Sequence, residues 1–156
     1  MFDKALNDEE LSAVRTYLHT KWFTPFDGTT VPSDVRLENG ARLDFGGGSW
    51  AFDTVKGAGT IGDADVTIAG SVEPGLAVEG VVTFAEGAGV DLSRIAEKPA
   101  PGDIVLVTCR GVEGEPVVKN WRFDNMLFRL RTIDNGDGTV SLVGNVKSRG
   151  FSVFLR

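Results

Sequence analysis

The sequence predicts an all-β chain, a short parallel β-helix or solenoid carrying an N-terminal α-helix as a cap. Three observations lead there. Short apolar runs rich in β-branched residues recur from residue 31 onward, glycine or proline bounds each run, and one glycine-cornered strand motif repeats. A β-sandwich or jelly roll with one helix uses the same strands and turns and is the alternative. Either way the chain divides into an amphipathic helix with its linker at 1–30 and a β domain at 31–156.

The helix opens at Asn7-Asp8-Glu9-Glu10. Asn7 caps the free backbone N–H groups of the first turn, Glu10 completes a capping box, and the acidic cluster suits the positive end of the helix dipole. Leu11, Val14, Tyr17, Leu18 and Trp22 then recur at helical spacing, a stripe that needs a surface to cover, and Pro25 ends the run. After Pro32 the period changes to two. Val35-Arg36-Leu37 and Arg42-Leu43-Asp44-Phe45 alternate on either side of Asn39-Gly40, a strong tight-turn signal. Trp50 and Phe52 alternate next, followed by Val66-Thr67-Ile68, Val81-Val82-Thr83-Phe84 and Ile104 to Val107. Asp134-Asn135-Gly136-Asp137-Gly138 joins Leu130–Ile133 to Val140–Val143 as a hairpin, and Phe151 to Leu155 reads as a last strand.

The repeat lays Val35 to Phe45 over Val82 to Leu92. Both read apolar-x-apolar, two turn residues, Gly-Ala, then apolar-Asp-apolar, with a partial third copy at Gly57-Ala58-Gly59-Thr60-Ile61. Repeated short strands with glycine corners are what a solenoid needs, because each coil turns sharply and stacks on its neighbour.

Composition excludes several function classes. At 156 residues with 42% hydrophobic and 24% charged residues, the chain is long enough and apolar enough to build a core. Its 20 glycines lie between apolar runs and act as turn punctuation. A net charge of -6, with no basic cluster, argues against a nucleic-acid partner. No apolar stretch approaches the ~20 residues of a membrane span. Met1-Phe2-Asp3-Lys4 is not a secretion signal, so the expected location is cytoplasmic if Met1 is the true start, and extracellular or cell-surface if the chain belongs to a longer protein.

Gly40 to Gly48, Lys56 to Ile61 and Val66 to Gly75 resemble the glycine-rich coils of autotransporter passenger domains, which are right-handed parallel β-helices. Asn7 to Trp22 is separately similar to a helix that follows a concanavalin-like (laminin-G-type) domain in large secreted bacterial proteins. The first likeness covers Val35 to Ile95. Together they imply the C-terminal part of a long surface protein. The chain is shorter than a typical passenger, and the family's membrane-anchoring barrel has no counterpart in this sequence.

Little in the sequence points to catalysis. His19 is the single histidine and lies in the helix; Cys109 is the single cysteine and lies in an apolar run, as a core residue would. No spacing of His, Cys or carboxylates suits a metal, and no cofactor is expected. Asp134 to Gly138 lacks the further acidic positions of a calcium loop, and Gly46-Gly47-Gly48-Ser49 lacks the lysine of a phosphate loop. Asp44 and Asp91 hold equivalent places in the repeat and are the carboxylate pair of a polysaccharide-active enzyme, the least favoured reading; alternation turns both outward. Trp50, Phe52 and Trp121 are the candidate ligand-binding residues, because aromatic rings stack on sugars, although a core uses them equally well. The expected function is a non-enzymatic structural or adhesive β domain, with a carbohydrate-binding module as the alternative. Its partners would be a glycan or neighbouring domains of a longer protein.

Overall fold

The computed structural model describes residues 33–149; the expected capping helix, His19 and the Phe151–Leu155 strand lie outside the described residues. Every described element is a strand. In chain order they are β1 (Ser33–Arg36), β2 (Arg42–Asp44), β3 (Ser49–Lys56), β4 (Thr60–Gly62), β5 (Asp65–Val72), β6 (Leu76–Val78), β7 (Val81–Phe84), β8 (Gly89–Asp91), β9 (Gly102–Cys109), β10 (Gly111–Glu113), β11 (Val117–Lys119), β12 (Met126–Asp134) and β13 (Val140–Ser148). They form two sheets. One has the order β1-β3-β5-β7-β10, with β8 between β5 and β11; the other runs β12-β13-β9-β6-β4-β2.

Up to β7, consecutive strands alternate between the sheets, so a strand pairs with the one two places on. All pairing in the first sheet is parallel. Trp50 faces Val66 and Phe52 faces Ile68; one strand further, Val66 faces Val82 and Ile68 faces Phe84. These steps are sixteen residues, and residues paired directly in a parallel ladder project to the same face, so inward side chains stack on inward side chains. The result is a set of buried columns: Phe52, Ile68 and Phe84 in one, Val55, Val72 and Val90 in another. Ile61 and Val78 form a matching column in the second sheet, where β2, β4 and β6 are also parallel. These columns belong to one continuous core between the sheets.

The long strands β3 and β5 carry an irregularity that grows along the sheet. Phe52 pairs with Ile68 and Thr54 with Ser71, so Ala69 and Gly70 together oppose Asp53, a bulge. On the next level the strand breaks there outright. Residues 85–88 turn, with Ala88 N–H donating to the Ala85 carbonyl, and β7 becomes β7 and β8. The level after is broken at Gly114 to Pro116 into β10 and β11. Lys119 Nζ reaches back to the Gly70 carbonyl at 2.9 Å, tying the last level to the bulge.

This arrangement changes one sequence expectation. Asn39-Gly40 turns as expected, with Ala41 N–H on the Glu38 carbonyl, and it carries the chain from one sheet to the other. The repeat holds only in its first half. Val35 and Val82 share a sheet, whereas Asp44 lies in the second sheet and Asp91 in the first, because the turn at 85–88 keeps the chain in its sheet. Asp44 and Asp91 are therefore not equivalent. The partial copy at Gly57–Ile61 is in register, with Thr60 opposite Arg42 and Ile61 opposite Leu43.

The stacking ends differently in the two sheets. In the second, β9 lies parallel to β6, but its other neighbour is β13, which runs antiparallel and pairs in turn with β12. The expected hairpin closes β12 to β13: Asn135 N–H donates to the Thr139 carbonyl, and Asp134 and Asp137 each accept the backbone N–H two residues on. Gly144 leaves room for the Phe128 ring, which occupies the space a Cβ would take.

Candidate functional site

The three sequence candidates fall in two environments. Trp50 is 6% exposed and Phe52 2%, both in the core column positions of β3. Trp50 packs on Phe45 with ring centroids 4.6 Å apart, and its Nε1–H donates to the Gly47 carbonyl at 3.1 Å. That carbonyl is presented by Gly46, Gly47 and Gly48, three consecutive residues in the left-handed region. The glycine run therefore wraps the edge of the core. Rings so enclosed offer no face on which a sugar can stack, so Trp50 and Phe52 are assigned to packing.

Trp121 is only partly buried and lies beyond the strand end. Trp121-Arg122-Phe123 reads as a half-buried strand in the sequence, but β11 stops at Lys119 and the segment is irregular. The cause is Asn120, whose backbone sits at φ 59° and redirects the chain; asparagine tolerates that region better than most residues. Its side chain is fixed as well, Nδ2 donating to Asp91 Oδ1 at 2.9 Å. The same carboxylate oxygen accepts Ser93 N–H at 2.9 Å. Burial pushes the Asp91 carboxyl upward, but these bonds, with Lys119 nearby, outweigh it and hold the group below the usual range.

Behind the indole stand Phe128, tilted at 4.7 Å, and Phe123, edge-on at 5.0 Å, while Trp121 Nε1–H donates to the Met126 carbonyl. Arg122 donates from Nη2 to the carbonyls of Ile95 at 2.8 Å and Ser93 at 3.2 Å, and lies 6.0 Å from the Phe123 ring centre. Ser93, Asn120, Trp121 and Arg122 line a cavity of about 340 Å³. Sequence reasoning named only Trp121 here. The other three carry no pattern of their own, and Asp91 meets Asn120 only through the parallel pairing of β8 with β11.

Several polar groups elsewhere are held by structural bonds. A second cavity, of about 400 Å³, includes Leu37, Pro74, Arg36 and Arg94, and its arginines pair with Glu38 and Glu73. Asp44 pairs with Arg42, which also holds Glu79. Cys109 is 1% exposed, its thiol pushed up by burial and directed to the Gly111 carbonyl. Among the described residues no group of three His, Cys, Asp or Glu side chains is arranged to hold a metal, and no helix is long and apolar enough to span a membrane.

Among the described residues four carboxylates lie below their ordinary values: Glu79 through Arg42, Asp103 through Asn145 and Arg131, Asp137 through Thr139, and Asp91 as above. A carboxylate lowered in the folded state stabilises fully above its unfolded pKa, roughly 4, and that contribution disappears as pH falls through the folded value. The melting temperature should therefore hold between about pH 7 and 5 and drop below about pH 4. Thermal melts across that range check it; a melting temperature that stays level or rises down to pH 3 contradicts it.

Compared with known proteins, the chain matches no family model, no curated protein and no solved structure.

Proposed function

We propose that this chain is a short parallel β-solenoid serving as a non-enzymatic stalk, spacer or adhesive segment of a bacterial surface or secreted protein. One observation carries the reading: β1 to β7 alternate between two sheets while pairing parallel, so like positions sixteen to twenty residues apart stack in columns. A sandwich built from hairpins would place sequence neighbours side by side instead. Stacked coils make a rod whose length is fixed by strand spacing, which is the property a spacer requires. The autotransporter-like glycine coils support the same assignment, with neighbouring domains of a longer chain as partners and the cell surface as location.

Rigidity along the stack tests it. Spin labels on Asp34→Cys in β1 and Glu113→Cys in β10 sit four strand spacings apart, about 20 Å at the backbone. Both positions are exposed, while native Cys109 is buried and escapes labelling. Pulsed electron–electron resonance should give one narrow distance distribution. A broad or bimodal one overturns the spacer reading. The Trp121 corner favours a second reading, a carbohydrate-binding module, in which adhesion is to a glycan.

A further inference from the structure

We propose that the Trp121 corner binds a pyranose carrying a carboxylate, such as the uronic-acid unit of an acidic polysaccharide. The proposal rests on the adhesive reading and gives it a ligand class. Four features converge on the cavity of about 340 Å³, which lies at the small end of ligand sites. Trp121 presents an indole that Phe123 and Phe128 hold in place, so its orientation is set before anything binds. Arg122 is fixed by two backbone carbonyls and, like Arg110, Arg129 and Arg149, has no carboxylate within ion-pair distance among the described residues, but it is the arginine that lines this cavity. Nε and Nη2 are spent on those carbonyls, which leaves the two N–H groups of Nη1 to donate a charge-assisted bond to an incoming carboxylate. Asn120 and Ser93 complete the lining; both bond Asp91, which leaves the Asn120 Oδ1 and second Nδ2 N–H for sugar hydroxyls.

The neighbouring acid does not oppose this. Asp91 already accepts from Asn120 and Ser93, with Lys119 close by. A neutral sugar would use the ring and the amide but leave the Arg122 charge without a partner. Nucleic acid needs a basic surface along several phosphates, whereas the lining of this corner offers a single arginine, enough for one uronate.

The chain has three tryptophans, so its indole N–H signals in a nitrogen–proton spectrum are separable, and Trp121→Phe assigns the relevant one. Tri-galacturonate is titrated into the intact chain beside its carboxyl-reduced form, trigalactose. The Trp121 signal should move with tri-galacturonate while the buried Trp50 signal stays put. Trigalactose should bind at least fivefold more weakly, and raising NaCl from 50 to 500 mM should weaken only the acidic ligand. Arg122→Gln should cost the acidic ligand at least fivefold. Asn120→Gly, which suits the left-handed backbone but gives up the bond to Asp91, should weaken both ligands with only a small fall in melting temperature. No movement of the Trp121 signal overturns the site, and equal affinity for the two sugars overturns the carboxylate assignment. Neither result touches the spacer reading, which the spin-label distances decide separately.

Discussion

Gly57→Val should leave the chain without a cooperative unfolding transition. Gly57 follows β3 at φ 88°, and a Cβ built there falls on the carbonyl group of Leu37. The closeness is imposed from both sides. Leu37 N–H donates to the Lys56 carbonyl at 2.8 Å and Gly40 N–H to the Ala58 carbonyl at 2.9 Å, so one turn rests directly on the other. Gly57 N–H itself donates to Glu73 Oε2 at 2.7 Å, a carboxylate also held by Arg94. A β-branched residue in the left-handed region costs about 1–3 kcal/mol before any overlap. The overlap is with backbone, so no rotamer relieves it; the two turns must separate and lose their bonds. Against a total stability of about 5–15 kcal/mol, the sum is ruinous. Gly136→Val supplies the control, since Gly136 has a similar φ of 78° but nothing within 4 Å of its Cβ position. Circular dichroism melts should show a modest loss for Gly136→Val and no transition for Gly57→Val. A Gly57→Val melt within a few degrees of the parent would mean the turns are not stacked as described.

What the sequence revealed, and what it hid, follows from how far each signal reaches. Strands such as Val66-Thr67-Ile68 and the Asp134–Gly138 hairpin were legible because alternation and turn chemistry are local. Partnership was not. Asn39-Gly40-Ala41 and Glu86-Gly87-Ala88 look alike and both place glycine in the left-handed region, yet the first crosses between sheets and the second stays within one. The true spacing was hidden because the columns mix residue types, as in Phe52, Ile68 and Phe84, and because the step lengthens where residues 92–101 intervene before β9. The same limit governs the site. Trp50 and Trp121 each head an alternating aromatic pair, and nothing local distinguishes them. Trp50 is enclosed because β5 and β7 continue its column with Val66 and Val82. Trp121 escapes because Asn120 takes the chain out of the sheet.

Ile68→Ala should cost about 2–5 kcal/mol, the second largest effect expected, and the way that cost couples to its neighbours tests the columns directly. Ile68 is 0% exposed and lies between Phe52 on β3 and Phe84 on β7. Parallel ladders on both sides hold those neighbours about 4.8 Å away, so the walls cannot close on the space a deleted side chain leaves. Urea titration gives the loss as a lower midpoint at unchanged slope. Val112→Ala, at the partly buried end of the adjoining Val66 and Val82 column, should cost less, because a side chain partly in contact with water gives up less burial. In a stack that passes contacts only between adjacent levels, Phe52 and Ile68 should couple strongly in a double-mutant cycle. Phe52 and Phe84, two levels apart, should be additive within about 0.5 kcal/mol. Strong coupling between Phe52 and Phe84 would require the two rings to meet past Ile68, which parallel pairing on both sides of β5 does not allow. The contrast between the two cycles thus reads the stacking order from energies alone, and it does so at the column that keeps β3, β5 and β7 in register.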